Sequence, residues 1–179
     1  LRVRDNYYMR SANGAYDSTA PYGFIKTKVA LQGKSVSSLV CDPETTQILR
    51  GIFDAYAYTS TSLGALARQL NKRRVPSPGG AAWDSCKLSR IMSNPVYVKA
   101  NADIYNYYRL TGINITNPIE ACAGVNGCVT YGQWDQKRCK FDQLKSLTLS
   151  IGLHEGLVDA QTFLLCQNRL NNNTQVYNG

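Results

Sequence analysis

The stretch Ser62–Pro95, SLGALARQLNKRRVPSPGGAAWDSCKLSRIMSNP, reads as helix, basic turn, helix and stop. Leu63, Leu66, Ala67 and Leu70 recur at the i, i+3, i+4, i+7 spacing of one apolar helical face. Ser62 stands before that run as its N-cap, and Arg68, Gln69, Asn71 and Lys72 fall on the opposite face. Arg73, Arg74, Pro76, Pro78, Gly79 and Gly80 then break the pattern. A second, shorter helix follows over Ser85–Ser93. Asp84 caps it, Leu88, Ile91 and Met92 form its apolar stripe, and Asn94-Pro95 ends it, because proline disfavours the helical conformation just before itself.

Charge is concentrated in the same place. From Ser62 to Lys99 the cations are Arg68, Lys72, Arg73, Arg74, Lys87, Arg90 and Lys99, and the lone anion is Asp84. That local excess is most of the +8 of all 179 residues. Two helices joined by a basic turn suit a DNA duplex: one helix packs, the other enters the major groove, and the turn meets phosphates. The competing reading of the local pattern is a solvated helical hairpin on an ordinary core.

The hydrophobic fraction of 44% supports a real core, and a pI near 9.2 favours a polyanionic partner, nucleic acid or an acidic membrane surface. No apolar run is long enough to span a bilayer, and LRVRDNYYMR carries neither a signal peptide nor an initiator Met, which suggests a piece of a longer chain. The six cysteines, Cys41, Cys86, Cys122, Cys128, Cys139 and Cys166, contain no C-x-x-C pair. His154, the single histidine, is remote in sequence from Cys122–Cys139. Zinc ribbons need close ligand pairs, so no metal site and no cofactor is expected, and the thiols read as free in a reducing compartment.

Outward from the helix pair, residues 1–13 read as a helix ended by Gly14, basic through Arg2, Arg4 and Arg10; it is either an arm lying along DNA or a solvated terminus. Residues 15–23 form a linker. FIKTKVA and KSVSSLVCD flank Leu31-Gln32-Gly33 as a hairpin. Asp42-Pro43-Glu44 opens a helix with apolar Ile48, Leu49, Ile52, Phe53 and Tyr56. Val96–Val98 and Ile104–Tyr108 are rich in β-formers and read as strands, with Tyr105, Tyr107 and Tyr108 either stacking on bases or lining a sheet. Residues 109–146 read as an irregular insertion whose Lys137, Arg138, Lys140 and Lys145 offer a second phosphate patch. Leu147–Ile151 is a strand. Asp159 caps a last helix that Asn171-Asn172-Asn173 ends.

No catalytic set emerges. His154-Glu155 lacks the second histidine of a zinc protease, and His154 just before a helix reads as structural. Neither a Walker loop nor G-x-G-x-x-G occurs, and the twelve carboxylates are scattered. This chain alone is not expected to be an enzyme.

The order Pro21-Tyr22-Gly23-Phe24, Ile52-Phe53, Ser62…Leu66-Ala67-x-x-Leu70-Asn71, Trp83-Asp84 and Ile91-Met92-Ser93-Asn94-Pro95-Val96-Tyr97 resembles the recombinase domain of large serine recombinases. These are phage integrases and transposases of the resolvase/invertase superfamily. His154–Asp159 and the helix with Phe163 and Gln167 look like the segment that closes that domain, so the resemblance spans about residues 10–172. It departs at Tyr58–Thr61, where the family often has glycine, in the long Gly/Pro-rich turn before Trp83, and in Cys122–Cys139.

The resemblance implies an α+β fold with a helix-turn-helix-like helical core and small antiparallel β elements. Residues 1–20 would be the end of a connecting helix and its linker, 21–172 the DNA-binding domain, with a β-rich insertion at 101–153 and a closing helix at 154–172, and 173–179 a tail. It further implies a parent enzyme that cuts and rejoins duplexes through a serine in another domain, in a bacterial or phage-encoded, cytoplasmic setting. Double-stranded DNA and other recombinase subunits are the expected partners, without a membrane. A domain that merely tethers subunits is the alternative. The expected DNA contacts are Ser85, Lys87, Ser89 and Arg90 in the major groove, Arg90 facing guanine, and Lys72, Arg73 and Arg74 on phosphates. Arg68 and Lys99 add to the basic face, Arg10 and the linker Ala15–Ala20 track a minor groove, and Trp83 packs rather than stacks.

Overall fold

In the computed structural model of the chain, residues 2–132 and 146–177 are described, with side chains through Asn173. The elements in order are α1 (Arg2–Ala12), β1 (Phe24–Leu31), β2 (Lys34–Cys41), α2 (Pro43–Tyr58), α3 (Leu63–Lys72), α4 (Ser85–Met92), α5 (Ala102–Thr111), β3 (Asn114–Ile115), β4 (Asn126–Gly132), β5 (Leu147–Glu155) and α6 (Ala160–Tyr177). The fold is α+β, with a helical core and two small sheets.

The helices start where the sequence caps them. The Asp42 carboxylate accepts from the Glu44 N–H at 3.1 Å, Ser62 Oγ from Ala65 at 3.2 Å, and Asp84 from Lys87 at 2.7 Å. Helix α2 buries Leu49, Ile52, Phe53 and Tyr56, α4 buries the stripe expected of it, and α3 buries Leu66, Ala67 and Leu70 while Leu63 at its start stays half-buried. The last turn of α2 has no basic residue of its own. Arg169 reaches in from α6 instead, donating to the Tyr56, Thr59 and Thr61 carbonyls and lying 4.0 Å over the Tyr56 ring. A cation there neutralises the negative end of the helix and ties α6 to the loop that leads into α3.

Strands β1 and β2 form the expected hairpin. Gln32 (φ 50) and Gly33 (φ 78) supply the two positive φ angles of a tight turn that matches strand twist. In the second sheet β5 is central, antiparallel to β4 and parallel to the short β3. The end of α1 and the residues just after it are tied to both sheets. Ser150 Oγ donates to the Ser11 carbonyl, Leu153 N–H to Gly14 O, and Tyr16 N–H to Ser37 O. Gly14 (φ 90) fits because a Cβ there would lie 2.5 Å from Ile151 O.

Several expectations fail. Residues 104–108 are helical, within α5: Asn101 caps it through the Ile104 N–H, and Ile104 and Tyr108 meet the core one turn apart. Tyr108 is therefore buried and closed to bases, with Tyr107 packed edge-on at 5.0 Å. Val96–Val98 contributes a single turn and one bridge, Val98 to Val158, rather than a strand. The strand expected over Leu147–Ile151 extends to Glu155, so His154 lies in β5, not before a helix. Helix α6 runs through the asparagines to Tyr177, with Asn173 donating to the Tyr56 hydroxyl at 2.9 Å. The 109–146 stretch is less irregular than expected, since it holds β3 and β4. Cys139 and the cations Lys137, Arg138, Lys140 and Lys145 lie outside the described residues.

Candidate nucleic-acid interface

Helices α3 and α4 pack through Leu66, Leu70, Leu88, Ile91 and Met92, all buried. The connecting turn is long, yet polar ties from Asn71, Trp83 and Tyr22 help to hold it. The Asn71 side chain donates to the Trp83 carbonyl at 2.9 Å and accepts from the Trp83 N–H at 2.8 Å. Trp83, 3% exposed, donates from its indole to Val75 O at 3.0 Å. Tyr22 stands edge-on to that indole at 5.5 Å, and its hydroxyl donates to Pro76 O at 2.7 Å. Trp83 is thus the expected packing anchor, and Tyr22 and Asn71 lock the turn around it.

The turn leaves α3 through a Schellman motif: Arg74 N–H donates to Asn71 O and Val75 N–H to Leu70 O, both at 3.0 Å. Arg74 occupies the left-handed position (φ 53) where glycine is usual. Lys72, Arg73 and Arg74 are consecutive and exposed. Arg68 folds back along α3, and its guanidinium and the Ser85 hydroxyl lie 3.6 and 3.8 Å from the point a Cβ on Gly64 would take. The bare Gly64 thereby brings Arg68 beside the start of α4.

On α4 the buried Leu88, Ile91 and Met92 leave an outward face centred, at 100° per residue, on Cys86, Ser89, Arg90 and Ser93. Ser85 sits on its edge, exposed. Lys87 sits on the other edge, half-buried, with its ammonium on the Ala82 carbonyl at 3.0 Å and beside Ala81 O at 3.5 Å. It braces the turn more than it projects. Cys86 and Ser93, both exposed, went unread in the sequence although the helical wheel places them beside Arg90. Arg90, Lys87, Cys86 and Tyr22 line one open groove of about 440 Å³.

Arg68, Lys72, Arg73, Arg74 and Arg90 have no ion pair among the described residues, where Arg10–Asp17 at 2.8 Å is the salt bridge found. That bridge ties Arg10 to the linker meant to follow a minor groove, and Ala15 of that linker is fully buried. Lys99 is half-buried beyond α4, its N–H on Val158 O at 2.8 Å. The structure therefore gathers eight of the ten expected residues, Arg68, Lys72, Arg73, Arg74, Ser85, Lys87, Ser89 and Arg90, on the helix pair, and sets Arg10 and Lys99 elsewhere.

The remaining titratable groups have structural places. His154 is 2% exposed, stands edge-on to Phe24, and pairs its Nε2 with Val96 O at 2.9 Å, while Nδ1 has no partner. Burial lowers its pKa, against the smaller pull of that carbonyl. Burial pushes the Cys128 and Cys166 thiols up to about 12. Cys41, Cys86, Cys122, Cys128 and Cys166 are free, and among the described residues no three His, Cys, Asp or Glu side chains gather as metal ligands. No helix among the described residues is long and apolar enough to cross a membrane.

Neither curated proteins nor solved structures yield a significant match to the chain. The sequence pattern described as Recombinase does match, over residues 43–173, from the start of α2 into α6. The hairpin and the Pro21–Phe24 motif lie outside the matched segment; the whole helix pair lies within it. With most of its length so matched, the chain belongs to the Recombinase family, the non-catalytic DNA-binding domain of serine recombinases.

Proposed function

We propose that this chain is the sequence-reading, duplex-DNA-binding domain of a site-specific large serine recombinase, of the kind that integrates or excises mobile elements. It holds a catalytic serine domain at an attachment site in bacterial or phage-encoded recombination. The observation that carries this reading is the set of cations on the α3–α4 turn, with no ion pair among the described residues, beside the polar outward face of α4. Lys72, Arg73 and Arg74 grip phosphates and set affinity, while Arg90, with Ser89, Cys86 and Ser93, meets base edges and sets sequence. Lys87 braces the turn, and Arg68 and Ser85 flank the entry of α4. Other recombinase subunits are the further partners.

The test is a binding selection from random duplex DNA at about 150 mM salt, where phosphate-only binding is weakened. The expected result is an enriched motif that Arg90→Ala relaxes by about 1–3 kcal/mol at one base pair. Binding without a motif refutes sequence reading. Self-association with no DNA binding favours the subunit-tethering alternative.

A further inference from the structure

Asn71 is exposed, yet its carboxamide is bonded through both its nitrogen and its oxygen. One amide satisfies both backbone polar groups of Trp83, the residue directly before the Asp84 cap of α4. The bonds are made across a chain separation of 12 residues and join the last turn of α3 to the residue that precedes the α4 cap. Arg73 and Arg74 lie inside the loop it closes, and Arg90 lies on the helix it starts. A bidentate amide fixes distance and direction together, as apolar packing between Leu66, Leu70 and Leu88 does not, because packing is non-directional.

We infer that Asn71 is a positioning residue for duplex recognition: it sets the spacing between the phosphate-gripping turn and the base-facing side of α4, so that both meet one duplex in register. This rests on the DNA-binding reading above. Asn71 touches no base itself. The core packs without it, since Leu66, Leu70, Trp83 and Leu88 are buried by apolar neighbours. Removing it therefore leaves a folded domain in which the Trp83–Val75, Tyr22–Pro76 and Lys87–Ala82 bonds remain but the two-point link between the end of α3 and the start of α4 is gone. Phosphate binding tolerates that slack. Base readout does not, because bidentate contacts need fixed direction.

The experiment measures affinity for the selected duplex and for a random duplex at one salt concentration, well below the melting temperature of every variant. Wild type is compared with Asn71→Ala, Asn71→Gln and Val129→Ala, the last a buried β4 residue away from the helix pair. Asn71→Ala is expected to lose about tenfold in the selected-to-random ratio while random-duplex affinity changes less than about threefold. Asn71→Gln keeps both hydrogen-bonding groups one methylene further out, and is expected to recover melting temperature without recovering the ratio. Val129→Ala is expected to melt lower with the ratio intact. A ratio kept by Asn71→Ala, or lost equally by Val129→Ala, overturns the positioning role while leaving the DNA-binding reading standing. A wild type that does not discriminate overturns both.

Discussion

Arg74 sits in a left-handed conformation that costs an L-residue about 1–2 kcal/mol and glycine almost nothing. Arg74→Gly removes that strain but gives the unfolded chain about 0.4–1 kcal/mol of extra entropy to lose. The two Schellman bonds survive, because they use only backbone atoms. The net expectation is a gain of about 0.5–1 kcal/mol, or about 2 °C in Tm for a domain of this size. Duplex binding moves the other way. One phosphate contact is lost, so the slope of log K against log salt becomes shallower by about 0.9, and all sequences weaken alike. Thermal melting and a salt titration on a specific and a random duplex read the two effects separately. A lower Tm in Arg74→Gly refutes the strain, and an unchanged salt slope refutes the contact. Opposite signs support a residue kept in a poor backbone conformation for what its side chain grips.

Three further outcomes concern the fold. A Cβ on Gly127 would lie 2.3 Å from both His154 Nε2 and Val96 O, so Gly127→Ala should cost about 3 kcal/mol in urea unfolding. Arg169→Ala should cost about 2–3 kcal/mol by the same measurement, and Arg169→Lys should restore only part, because a point ammonium cannot span three carbonyls. His154 is neutral in folded and unfolded chains above its ordinary pKa near 6.5. Below that the unfolded chain takes up a proton the buried ring resists, so stability should fall from pH 7 towards pH 5. His154→Gln should flatten that slope, and an unchanged slope would assign the acid sensitivity to other groups.

What could be read without coordinates was local. Asp42-Pro43, Ser62 and Asp84 announce their helices because a cap needs only its next three residues. Gln32-Gly33 announces the hairpin for a similar reason. Helix α5 was missed because tyrosine and isoleucine favour strands on average, while Asn101 and the left-handed Gly112 that bracket it carry the better signal. Strand β4 was missed because its pairing with β5 is long-range, and no pattern within Asn126–Gly132 names its partner. At the interface the cations were legible as charge. Their separation was not: Arg10 and Arg90 look alike in a sequence, and only folding gives Arg10 an aspartate while Arg90 meets none among the described residues. The double role of Asn71 toward Trp83 was hidden for the same reason.

The seam at Gly14 has a mechanical consequence. With Ser11 and Gly14 bonded to β5 and Tyr16 to β2, helix α1 cannot swivel on the domain. At 1.5 Å per residue its 11 residues make a spoke of about 16 Å, welded to the sheet at its C-terminal end and resting on β4 where the Tyr8 ring meets Tyr131. A probe attached to the exposed Asn6 will tumble at the rate of the whole body, and a pull on α1 will load β5 before it bends any loop. Widening Gly14 to alanine, against the Ile151 carbonyl, turns that weld into a hinge.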